Sequence, residues 1–152
     1  MGVETTQDSC YDARMKKHRI GRVDYSALNK EPEPHELDTA NYFANFGFDV
    51  LFLKNSNIKG SHSPDFQMVG KIWETKSPIT YSESSFEDNF KKAEKQSKHI
   101  IYDLRRLNKR NSEKYLKGLI KRSKSKKVKT LIVISRDEKL LIFKGEFDII
   151  RA

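Results

Sequence analysis

From Glu36 onward the chain alternates between two hydrophobic rhythms. In "HELDTANYFANFGF", Leu37, Ala40, Phe43 and Ala44 recur every three or four residues, which predicts a helix that Gly47 is placed to stop. "FDVLFL" at 48–53 is a short apolar run and predicts a strand, and "KNSNIKGSHS" at 54–63 predicts a loop. "DFQMV" and "IWETK" then read as two strands around Gly70-Lys71, with glycine opening a tight II′ turn. In "SESSFEDNFKKAEKQSK", Phe86, Phe90, Ala93 and Ser97 share one helical face. "HIIYDL" (99–104) predicts a strand, and "SEKYLKGLIKRS" (112–123) a helix with Tyr115, Leu116, Leu119 and Ile120 turned inward. "VKTLIVIS" and "KLLIFKG" close the pattern as two strands around "RDE".

The order from residue 36 is therefore α-β-β-β-α-β-α-β-β. Strands 99–104 and 128–135 flank a helix, which favours a parallel crossover. The fold class is α/β, a mixed sheet with helices on both faces. Residues 1–34 are polar, with scattered Ile20, Val23, Tyr25 and Leu28, and end in "KEPEPHE". They read as an arm or linker, loosely ordered or docked late, before a domain at 35–152.

Length and composition narrow the picture. A chain of 152 residues suits one domain with one core. Its longest apolar runs, such as "LIVI", fall far short of the roughly 18 residues a membrane helix needs. No apolar stretch near the N-terminus predicts a signal peptide, and the expected site of action is the cytoplasm. Cys10 is the only cysteine, which excludes an internal disulfide and a cysteine-clustered zinc site.

Charge changes the picture more. Residues 91–129 hold 16 Lys/Arg against 3 Asp/Glu, while the whole chain carries a net +9. A charge concentrated in one segment attracts polyanions and loses that attraction as salt rises. Arg105, Arg106, Lys109 and Arg110 form the tightest basic cluster. Phosphate contacts from it would set affinity and salt dependence rather than sequence choice. Tyr81, in the loop after the second hairpin strand, is placed to meet a nucleotide.

The hairpin raises the chemical question. With Gly70-Lys71 as the turn, Gln67 faces Glu74 and Asp65 faces Lys76. Period two sets Asp65, Gln67, Glu74 and Lys76 on one face, and Phe66, Met68, Trp73 and Thr75 on the other. Asp65 and Glu74 are then diagonal neighbours, about 7–8 Å apart at Cβ, close enough to share a cation. Two carboxylates suit Mg²⁺ or Mn²⁺, the Thr75 carbonyl offers a further ligand, and Lys76 can steer a water or offset developing charge. The same spacing also describes a solvated hairpin face with a cross-strand Asp–Lys pair.

Pro64-Asp65 followed by Glu74-Thr75-Lys76 resembles the PD-(D/E)xK motif of restriction-endonuclease-like nucleases, whose core order α-β-β-β-α-β matches residues 36–104. More narrowly, "HELDTANYFANFGFDVLFLKN", "SPDFQMVGKIWETKSP", "FKKAEKQSKHIIYDL" and "LIVISRDEKLLIFK" resemble the C-terminal nuclease domains of CdiA-type contact-dependent growth inhibition toxins. The resemblance implies a metal-dependent ribonuclease cutting tRNA, an acidic immunity protein as partner, and delivery as part of a larger toxin. It implies that Asp65 and Glu74 hold metal and that Lys76 is catalytic. It further implies an accessory acid at Glu36 and a polar site residue at Gln96 or Lys98. His62, in the loop entering the hairpin, is a substrate-contact candidate. A DNA endonuclease, a non-catalytic nucleic-acid-binding module and a basic interaction protein are the competing expectations.

Overall fold

A computed structural model describes residues 19–54 and 66–147 of the chain. In chain order these form β1 (Val23–Asp24), α1 (Pro34–Ala44), β2 (Val50–Phe52), β3 (Phe66–Met68) and β4 (Lys71–Lys76). There follow α2 (Glu83–Gln96), β5 (His99–Asp103), α3 (Lys109–Arg122), β6 (Thr130–Ile134) and β7 (Leu140–Lys144). The strands make one seven-stranded sheet in the order β1 to β7. β4, β5 and β6 are mutually parallel and β1 is parallel to β2, while β2–β3, β3–β4 and β6–β7 are antiparallel. The expected mixed sheet is present, and α2 and α3 are the crossovers that parallel pairing demands.

Alternation along the strands builds two cores. Phe66, Trp73, Ile101, Ile132 and Ile134 pack with Ala40 and Phe43 of α1 on one face. Ile100, Tyr102, Leu131 and Val133 pack with Phe86 and Phe90 of α2 and Tyr115 and Leu119 of α3 on the other. The central strand β6 is buried at all five positions because both its faces are covered. Trp73, Phe43, Phe86 and Phe90, expected in the core, are almost fully buried.

Each helix start has a local cause. Pro34, with its fixed φ, opens α1, and the Glu36 carboxylate accepts from the Glu33 amide at 2.9 Å in a capping box. Ser82 caps α2 by accepting from the Ser85 amide. Asn108 caps α3 by accepting from the Asn111 amide at 2.8 Å. That cap starts α3 three residues before the expected Ser112, in a polar turn that hydrophobic spacing does not register.

Two other expectations are corrected. The hairpin turn is Val69-Gly70, not Gly70-Lys71. Both residues have positive φ, 49° and 73°, as a I′ turn requires, and Met68 pairs with Lys71. Gln67 therefore faces Ile72 rather than Glu74. Moving the turn by one residue changes the pairing by two, so the described side chains of the hairpin keep their expected faces. Secondly, part of the expected N-terminal arm belongs to the sheet. Val23–Asp24 adds a parallel edge strand to β2, and the Gly21 amide donates to the Ala44 carbonyl at 2.8 Å. A Cβ at Gly21 would lie 1.8 Å from the Phe48 carbonyl oxygen, so glycine is required for that approach.

Candidate active site

β4 carries two of the expected site residues, Glu74 and Lys76. Strand alternation turns Trp73 into the α1-side core and Glu74 and Lys76 toward the α2 side, where they lie beside Ile100 and Tyr102 of β5. Glu74 is 1 % exposed. Burying a carboxylate costs several kcal/mol unless it is paired. Lys76 answers that cost, with its Nζ 3.0 Å from Glu74 Oε2 and its side chain 16 % exposed. The two belong to one strand and are two residues apart, so the backbone itself sets their proximity.

The surroundings are aromatic and polar. The Tyr102 hydroxyl donates to Asn89 Oδ1 of α2, and the Phe90 ring stacks on Tyr102 at 6.1 Å. Burial pushes the Tyr102 phenol well above its ordinary pKa, and Tyr115 and the Glu74 and Glu94 carboxylates add to the rise, against Arg122. Tyr102 thus stays a neutral donor beside the acid–lysine pair.

The other expected residues fall in several places. Asp65 and His62 lie outside the described residues. Thr75 turns its side chain to the face opposite Glu74 and lies half-buried. Glu36 sits in the first turn of α1, on the helix that covers the other sheet face, and its carboxylate serves the capping box. Gln96 is the exposed last residue of α2, and Lys98 is exposed with its carbonyl accepting from the Lys129 amide at 2.8 Å. Among the described residues, no three His, Cys, Asp or Glu side chains gather as a metal site. The buried Glu74 carboxylate fits one hard-oxygen ligand of the expected pair.

The basic cluster divides. Arg105 turns inward and forks onto Asp103, with Nε 2.9 Å from Oδ1 and Nη2 2.7 Å from Oδ2. Its Nη2 also donates to the Asp38 carbonyl at 3.0 Å, and its guanidinium lies 5.1 Å from the Tyr42 ring centroid. Arg106 ties down the loop after β4 by donating to the Ser77 carbonyl and hydroxyl. Only Lys109 and Arg110 face outward unengaged by such ties, as the exposed first residues of α3.

The Asp103 network is a finding the sequence reading lacked. Asp103 is 2 % exposed and also accepts from the Thr39 hydroxyl at 2.6 Å. Its signal was an acid inside the apolar run "HIIYDL".

Fold and site together describe a mixed α/β domain built around a strand-borne, buried acid–lysine pair. The contact-dependent growth inhibition CdiA C-terminal domain family matches residues 62–140, more than half of the chain and the whole span from β3 to β6. The chain belongs to that family. Among solved structures it is similar to the CdiA-CT/CdiI toxin and immunity complex from Burkholderia pseudomallei, at 21 % identity and a TM-score of 0.54. That likeness covers 78 % of this chain and 98 % of the other, and it speaks for the fold. No curated protein sequence matches the chain. Among the described residues no helix is long and apolar enough to cross a membrane.

Proposed function

We propose that this chain is a toxin domain that hydrolyses phosphodiester bonds in RNA, with tRNA as the substrate class. The observation that carries the reading is the buried Glu74–Lys76 pair, 3.0 Å apart on β4 and inside the family-matched segment. A carboxylate buried in the sheet with an ammonium at the strand's end beside it is costly to fold around, and a chemical role would account for the cost. Asp65 and Glu74 would hold Mg²⁺ or Mn²⁺, which supplies, when bound, an acidified water and a polarised phosphoryl oxygen. Lys76 holds a positive charge on the same strand face, where it offsets the charge that develops on the phosphoryl oxygens. Its ammonium is a point charge on a flexible stem, so it can leave Glu74 and follow the substrate. The basic 91–129 segment gathers the polyanion from solution. By analogy with the toxin and immunity complex, an acidic immunity protein is the expected partner, and delivery as part of a larger protein brings the domain to its target.

The test is a denaturing gel of total tRNA and of duplex DNA incubated with the protein and Mg²⁺. Expected are discrete tRNA fragments that vanish with EDTA and in Glu74→Gln. Cutting of duplex DNA with tRNA left whole would replace the RNA reading by a DNA endonuclease. Intact RNA and DNA in every lane would overturn the proposed hydrolysis.

A further inference from the structure

A groove of about 580 Å³ runs between α2 and α3, on the same side of the sheet as Glu74 and Lys76. Its α3 wall presents Lys114, Lys117 and Lys121, all exposed. Spacings of three and four residues set them in one stripe along the helix, about 10 Å long. Arg122, at the end of the groove, is already occupied: it pairs with Glu87 of α2 and lies 5.5 Å from the Phe90 ring centroid. That pairing neutralises one of the two acids in the groove and leaves Glu83 alone against three lysines. The helices approach closely here because residue 118 is glycine; a Cβ there would come within 2.7 Å of the Phe86 ring. At the groove wall stands Tyr81, with the Lys114 ammonium 5.8 Å from its ring centroid. Tyr81 belongs to the loop that leaves β4 after Lys76, so one loop links the groove to the acid–lysine pair.

A line of cations beside an aromatic ring is what single-stranded nucleic acid needs: charge for the backbone and a platform for a base. We infer that this groove binds single-stranded RNA, with Lys114, Lys117 and Lys121 on successive phosphates and Tyr81 stacking a base. The assignment rests on the RNA reading of the β4 site and names where the substrate is held. It also moves the phosphate contacts away from Arg105 and Arg106, whose guanidiniums are spent on Asp103 and Ser77.

The experiment measures anisotropy of a labelled, mixed-sequence single-stranded RNA against the full chain carrying Glu74→Gln, across a salt series. Replacing Lys114, Lys117 and Lys121 together by Gln is expected to weaken binding at least about 10-fold and to lower the log–log salt slope by about three. The same change at Lys126, Lys127 and Lys129, also exposed and basic, is expected to shift affinity less than about 3-fold. Tyr81→Leu keeps an apolar side chain, and should weaken RNA binding about 5-fold or more while leaving competition by inorganic polyphosphate, which has no bases, unchanged. Equal weakening by the two lysine triples would overturn the groove, since general charge would then suffice. Loss of polyglutamate binding with RNA binding intact would also overturn it, in favour of an acidic protein partner. Groove-dependent binding of an RNA that the unmutated chain never cuts would uphold the groove and count against the hydrolysis alone.

Discussion

Two buried acid–base pairs sit side by side in the sheet and behave as opposites. Asp103 and Arg105, two residues apart at the end of β5, are joined by two side-chain hydrogen bonds at 2.9 and 2.7 Å, and Asp103 takes a third from Thr39 at 2.6 Å. Glu74 and Lys76, two residues apart on β4, meet through a single ammonium at 3.0 Å. A guanidinium fork matches both carboxylate oxygens and fixes its own orientation. An ammonium turns freely and can be drawn to another anion. The first pair fastens α1 to the sheet, since Thr39 and the Asp38 carbonyl belong to that helix. The second lies under α2 and is held by an ammonium rather than a fork. Similar spacing and burial thus give a fixed tie at the end of one strand and a turnable one on its neighbour, and the choice of cation decides which.

Substitutions can break that contrast, beginning with the largest effect. Arg105→Ala leaves Asp103 buried without its fork and should destabilise the fold by about 3–5 kcal/mol. Thermal unfolding should then fall by about 10 °C, with cleavage per folded molecule retained. Glu74→Gln keeps the shape of the side chain and should lower tRNA cleavage about 100-fold or more, with a melting temperature within a few degrees of the parent. If it melted as early as Arg105→Ala, the two pairs would be alike and the contrast would fail. Lys76→Arg sharpens the point by installing the fork on β4. It should hold the melting temperature and still abolish most cleavage, because the charge can no longer follow the phosphate; a fully active variant would refute the mobile-cation argument. Thr39→Val, at the rim of the structural pair, should cost about 1–2 kcal/mol in denaturant unfolding and spare activity.

The smallest effect is on pH. Burial is the main cause that holds the His99 pKa below its ordinary value, with Lys71, Lys129 and Lys98 adding to it. The unfolded histidine takes its proton near pH 6.5 while the folded one resists it. This contribution to stability is therefore complete above about pH 6.5 and declines as the pH falls below it. His99→Gln should flatten the denaturant midpoint between about pH 6.5 and 5, and an unchanged slope would assign the acid sensitivity elsewhere.

The apolar runs made most of the architecture legible, because burial imposes period two or a period near 3.6 on any element long enough to show it. Glu74 and Lys76 were legible for the same reason: residues two apart on one strand must share a face. What escaped lacked a period. β1 is two residues long, and its pairing shows only once Gly21 and Phe48 are in contact. The hairpin turn misled because Val69, a β-branched residue, takes a positive φ that sequence rules reserve for glycine and asparagine. Arg105 looked like a surface cation because the hydroxyl that completes its network is Thr39, 64 positions from Asp103. No local pattern can reveal a partner that distant.

The strictly sequential strand order has a bearing on how the chain finds its shape. Each strand pairs with the one synthesised just before it, so no layer of the sheet waits for a remote segment to return. Loop closure is divided among spans no longer than the 31 residues from His99 to Thr130, and dividing it in this way keeps contact order down. The longer ties come from α1: Thr39 bonds Asp103 of β5, the Tyr42 hydroxyl donates to the Glu138 carbonyl at 2.8 Å, and the Phe43 ring lies 5.8 Å from that of Phe147. A sheet assembled strand by strand and then clasped by α1 on its far face would regain its form quickly after being unravelled.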